Sequence, residues 1–236
     1  MRKLKPTYLV LLIAGVIVLD QALKVWIKTE YPIGEVMRVG GMDWFRIYFI
    51  ENPGMAWGWK FGNETGKMIL TLFRLGAVIF GTWYLNKMTK EDYSRGLMIC
   101  AGLIYAGALG NLIDSMFYGM IFDKGLHYDA AVGDYVSYVG TAHLGSSGYS
   151  SFLHGSVVDM LYFPILQTNW PNWVPMVGGE EFEFFSPIFN IADASISIGV
   201  LVLFFFQKRL LTPTADKTGN PTISTSQRHN DTREIF

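Results

Sequence analysis

A single cysteine, Cys100, is all that the 236 residues carry. An internal disulfide is therefore impossible, and paired-cysteine metal or redox motifs are excluded. Charge is scarce as well: Asp, Glu, Lys and Arg make up 17% of the chain and sum to −1. Nothing in that balance suggests a nucleic-acid partner. No H-E-x-x-H occurs, which removes a zinc protease of that type. His127, Asp129, His143 and His154 follow no tight ligand spacing and read as ordinary loop residues, so no metal or cofactor is expected. What the chain has in abundance is apolar surface. Half of its residues are hydrophobic, an unusual share for a soluble domain of this size.

Four segments are long enough to cross a bilayer as helix, at about 7–27, 68–85, 97–114 and 188–207. Arg2, Lys3 and Lys5 precede the first, as they would in a cleavable signal peptide. Its apolar run is too long for that, and no A-x-A-like site follows, so it reads as a retained helix. Lys and Arg set the orientation. They cluster at the N-terminus, in the 86–96 loop and at Lys208 and Arg209, whereas 115–187 holds one, Lys124, against seven acids. Both termini are then cytoplasmic and both long connections extracytoplasmic, although 28–67 fits less cleanly with its basic residues. The expected layout is one membrane-embedded domain over 1–211 and a disordered cytoplasmic tail over 212–236.

The outer connections have their own character. DWFRIYFI (43–50) reads as a half-buried strand, and the aromatics of 160–187 suggest a segment at headgroup level. Residues 120–153, polar and rich in Gly, Ser and Tyr, read as an exposed loop.

Polar groups inside the spans are the informative residues, because a carboxylate facing hydrocarbon is expensive. Asp20 and Lys24 are an i, i+4 pair near the outer end of the first span. Gly102, Ala106, Gly110 and Asp114 form one stripe on the third, with Asn111 beside its end. In FNIADASISIGVLVLFFF (189–206), Asn190, Asp193 and Ser197 share a face. By topology these acids reach one depth near the outer leaflet. HGSVVDMLYFP (154–164) brings a further acid, Asp159, in an apolar stretch. Two carboxylates converging in a low-dielectric site share a proton, and such a pair can hydrolyse a peptide, one acid activating water and the other acting on the carbonyl. The plainer alternative is a polar clasp: Asp20 with Lys24, Asp114 with Arg74 or an amide, Asp193 with Asn111.

Five ordered motifs resemble the lipoprotein signal peptidase (signal peptidase II) family. Asp20 with Lys24 resembles its D-x-x-x-K, and ENPGMAWG (51–58) its N-x-G-A-A-F, giving Asn52, Gly54 and Ala56. GNLID (110–114) matches G-N-x-x-D, HGSVVDML (154–161) resembles G-x-V-V-D-F-I, and FNIADASISIG (189–199) matches F-N-x-A-D-x-x-I-x-x-G. The resemblance implies four transmembrane helices with an extracytoplasmic β-cradle and a small interfacial helix. It implies an aspartyl endopeptidase that cuts lipid-modified prolipoproteins just before the diacylglyceryl-cysteine, acting as a monomer among membrane lipids. The catalytic pair would be Asp159 and Asp193, with Asn52, Gly54, Asn111, Asp114, Asn190, Asp20 and Lys24 binding substrate or supporting the pair. Two departures stand out. Ser115 occupies the place where the family usually has Arg, and family spacing points to Asp123, a competitor for Asp159.

Other chemistries fit less well. GSSG (145–148) matches the G-x-S-G of rhomboid-type serine proteases but sits in a polar loop, and the presenilin-type GxGD is absent. A small proton- or cation-coupled transporter would use intramembrane acids too, but the internal repeat or paired broken helices expected of one are missing. A lipid-binding scaffold using the aromatic outer face remains a non-enzymatic alternative.

Overall fold

The computed structural model describes residues 4–54, 64–145, 147–164, 166–184 and 187–211. The disorder expected for 212–236 lies outside these residues, as do Ala56 and the centre of GSSG. Four helices are long and apolar enough to cross a membrane. They are α1 (Pro6–Glu30), α2 (Glu64–Lys90), α3 (Arg95–Ile113) and α4 (Ile191–Leu211). Each of the first three overruns its expected bounds, since polar and charged ends continue the helix beyond the apolar stretch. Pro6 opens α1, where its missing N–H costs nothing. Ser94 caps α3 by accepting from Leu97 N. Past Ile113 the third helix runs on through a π turn, Asp114–Tyr118, and a last α turn, Gly119–Ile121.

The fourth helix begins later than expected. Ile188–Phe189, apolar enough to read as span, form strand β8 instead, and Asn190 follows as the cap. Asp193 therefore lies in the first turn of α4, and Asn190, expected to share a helix face with Asp193 and Ser197, precedes the helix.

The connections α1–α2 and α3–α4 leave the bundle at the same end, and the sheet lies there. β1 (Val36–Arg38), β2 (Arg46–Asn52), β5 (Val157–Tyr162) and β8 pair in that order, all antiparallel. The expected strand at 43–50 is β2, with Ile50 opposite Asp159 and Asn52 opposite Val157. Between Ile47 and Ile50 the register slips, a bulge that lets Phe49 reach the core. Hairpins β3–β4 (His127–Asp129, Asp134–Val136) and β6–β7 (Leu166–Asn169, Glu181–Phe184) complete the connections.

Residues 120–153 are not simply exposed. Phe122 and Ala142 are fully buried with Ile27, Phe49, Tyr118, Val158 and Met160, so part of this segment closes the core beneath the sheet. A second cluster, Leu9, Leu85, Met88, Leu97 and Met98, fills the opposite end of the bundle. Close helix approach depends on small residues. A Cβ on Gly107 would meet the Ala192 carbonyl oxygen at 2.2 Å, so only glycine lets α3 approach the start of α4 so closely.

Candidate active site

At the sheet end of the bundle, Lys24 is wholly buried and reaches three oxygens: Asp114 at 2.7 Å, Asp20 at 2.8 Å and Asn111 Oδ1 at 2.9 Å. Asp20 and Lys24 pair as their i, i+4 spacing requires. The other oxygen of Asp20 accepts from Ala192 N at 2.9 Å, so α1 holds the first turn of α4 directly. Asp114 also takes Gln21 Nε2 at 2.8 Å and Val158 N at 3.3 Å, fixing β5 one residue before Asp159.

The start of α4 is a reciprocal cap. Asp193 N donates to Asn190 Oδ1 at 2.8 Å, and Asn190 N donates to Asp193 Oδ2 at 3.4 Å. The amide nitrogen of Asn190 is left to donate to Asp159 Oδ1 at 2.7 Å, with Asn111 Oδ1 at 3.1 Å and Val158 O at 3.2 Å also in reach. Asn111 Nδ2 donates to Asp193 Oδ1 at 2.7 Å. Two amides thus join the two carboxylates, and each amide is held in turn. Burial and the charge of Asp193 push the Asp159 carboxyl up to about 8. A carboxylic acid that keeps its proton at neutral pH beside a second carboxylate can run acid–base chemistry on a carbonyl.

The structure gathers Asp20, Lys24, Asn111, Asp114, Asp159, Asn190 and Asp193. Asn52 and Gly54 stand at the edge of this group. Asn52 Oδ1 accepts from Gly54 N at 2.9 Å in a tight turn, and Gly54 has φ of +116°, a conformation suited to glycine. Asp123 is elsewhere. It lies in the 120–153 segment, where His143 N donates to it at 2.6 Å and holds its carboxyl below the usual range. Of the two partners expected for Asp114 the amide is found, from Gln21, with Lys24 beside it, while the Arg74 pairing is corrected: Arg74 donates to Ser115 Oγ at 2.9 Å. Among the described residues no three His, Cys, Asp or Glu are placed to hold a metal ion.

Sequence reasoning missed Gln21, Lys28 and Glu51. Gln21 Oε1 also accepts from Tyr118 Oη, linking α1 to the π turn. Lys28 continues the spacing of Asp20 and Lys24 by one more turn, a signal that was present once α1 is known to reach Glu30.

Four apolar helices, a sheet over one end and a carboxylate pair at their junction define a membrane protein with the layout of an enzyme. A family model described as signal peptidase (SPase) II matches residues 12–208. The chain belongs to the signal peptidase II family. A lipoprotein signal peptidase of Porphyromonas gingivalis is 42% identical over 81% of this chain and 79% of its own length. One from Amoebophilus asiaticus is 33% identical over 79% and 72%. A bacterial membrane enzyme solved by the in meso method at 2.3 Å shares the fold, with a TM-score of 0.52 at 23% identity over 92% of this chain and 98% of its own. Another, solved at 1.9 Å, has a TM-score of 0.51 at 25% identity over 88% of this chain and 97% of its own. None of these matches supports the transporter reading.

Proposed function

We propose that the protein is an aspartyl endopeptidase that removes signal peptides from lipid-modified prolipoproteins, cutting just before the diacylglyceryl-cysteine. Family membership supports the peptidase and the names of its relatives support the substrate. The observation that carries the aspartyl mechanism is the Asp159–Asn190–Asp193–Asn111 connection, with a buried acid that holds its proton. Asp193 accepts a proton from water as the water attacks the scissile carbonyl, while Asp159 donates to the carbonyl oxygen. The gem-diol intermediate then collapses as one hydroxyl returns its proton to Asp159 and the proton on Asp193 passes to the leaving amine. Asn111, Asn190, Asp114, Lys24 and Asp20 position the pair, and Asn52 and Gly54 border the path of the extended substrate.

The distribution of Lys and Arg supports a bacterial inner-membrane protein with both termini cytoplasmic and the pair near the outer leaflet, where a diacylglyceryl group would hold the substrate. Residues 1–211 act as one monomeric domain among membrane lipids. The test is cleavage of a lipidated prolipoprotein by wild type and by Asp159→Asn, Asp193→Asn and Asp123→Asn. Asn keeps the size but not the exchangeable acid. The first two should be folded and inactive and the third near normal. An inactive Asp123→Asn beside an active Asp159→Asn would move the pair. Normal cutting by all three would end the aspartyl reading.

A further inference from the structure

Arg74 is the one charged side chain in α2 between Lys67 and Lys87. An arginine within a span is a functional candidate by its cost alone. It is half-buried, and among the described residues its hydrogen bonding is confined to Ser115 Oγ, at 2.9 Å. Ser115, itself buried in the π turn, donates onward to the Asn111 carbonyl at 2.9 Å. The Asn111 side chain donates to Asp193. Arg74 is thus attached to the same turn of α3 that holds one carboxylate of the pair.

The charges around the pair point the same way. From α1, Lys24 is shared between Asp20 and Asp114. From α2, Lys67 is engaged by Ser156, two turns before Arg74. From β2, Glu51 is engaged by Lys28. From α3 come Asp114 and the neutral Asn111, and Asn190 before α4 is neutral. The acids whose charge Arg74 meets are Asp193 first, then Asp114 and Asp159. Asp114 is answered by Lys24 and Gln21, and Lys24 also bears on Asp159, whereas Arg74 meets Asp193 before any other acid among the described residues.

We propose that Arg74, seated on Ser115, is the positioning cation of the Asp159–Asp193 pair and favours its singly ionised, working form. This rests on the aspartyl reading above. A cation beside a carboxylate favours the charged form. Without it the pair takes up its second proton at higher pH, and the acid limb of the pH–rate profile moves upward.

The experiment is kcat/KM against pH for a lipidated prolipoprotein, using the purified full chain. Arg74→Lys should keep the wild-type acid limb. Arg74→Gln should move it up by about one unit, a loss of roughly tenfold below the limb and much less near the optimum. A limb that stays put in Arg74→Gln overturns the proposal, whether or not the overall rate falls. If Arg74→Gln is too slow to profile, the double exchange R74S/S115R decides, because it returns a guanidinium to the other end of the same hydrogen bond. Restored cleavage supports the role and failure to restore it overturns it. Asp159→Asn and Asp193→Asn run alongside. Activity in either removes the pair itself, whereas inactivity in both beside an unmoved Arg74→Gln limb removes only the role of Arg74.

Discussion

Lys24 and Lys28 lie one turn apart on the same face of α1, both completely buried, and their surroundings have little in common. Lys24 is held by two carboxylates and an amide that lead, through Asn111 and Asn190, to Asp159 and Asp193. Lys28 is ion-paired with Glu51 and ringed by Phe122, Tyr138 and Tyr149, each centred 5.1–5.2 Å from its nitrogen. Glu51 also accepts from Tyr138 Oη and Leu126 N, both from the 120–153 segment. One lysine gathers helices around the proposed catalytic pair. The other fastens a long connection to the sheet. The difference lies in the partners: acids and amides connect Lys24 onward to Asp159 and Asp193, whereas the aromatic box and Glu51 connect Lys28 to the 120–153 segment.

That contrast is sharpest under substitution. Lys24→Met leaves Asp20 and Asp114 without their cation, and breaking a buried pair in this way costs ~3–5 kcal/mol. Cleavage should fall below detection and the thermal transition in detergent should drop markedly. Lys28→Met strands Glu51 at a cost of ~3 kcal/mol, but the loss should appear as faster proteolytic nicking within 120–153, with cleavage activity reduced far less. Equal loss of activity in the two variants would erase the distinction. Adding Glu51→Gln to Lys28→Met removes the stranded charge and should recover part of the stability, as seen in the melting temperature.

Changing the pH separates the two regions again. Asp159 is raised to about 8 by burial and by Asp193, so its proton is held below that pH and lost above it. Activity should therefore decline about tenfold per unit above pH 8, and Lys28→Met should leave that limb in place. The smallest expected effect is that of Tyr138→Phe. It removes one hydrogen bond to Glu51, worth ~1 kcal/mol, measurable by melting and silent in cleavage.

The spans and most of the candidate site were legible because a charged or polar group inside an apolar run is costly and therefore conspicuous. Asp20, Lys24, Asn111, Asp114 and Asp193 stood out for that reason. Asp159 was found through the apolar residues around it, since β5 is buried along almost all of its length. Glu51 gave no such sign, because it lies in a strand of mixed composition and its partner depends on register with a distant segment. Of the two partners offered for Asp114, the amide was right and Arg74 was not, for composition cannot say which of two neighbouring residues, Asp114 or Ser115, a π turn will present to α2. The start of α4 was misplaced for a local reason. Ile188 and Phe189 suit strand or helix alike, and only the cap at Asn190 decides between them.

The cap on α4 also bears on how the enzyme comes into being. Its partners are drawn from residues 20, 111, 159 and 190–193, so no shorter nascent chain contains the complete group. A chain stalled on the ribosome before residue 190 has inserted most of its helices and still lacks the proposed Asp159–Asp193 centre. Synthesis itself delays the activity until the last helix joins the others, and the membrane is spared a half-built protease.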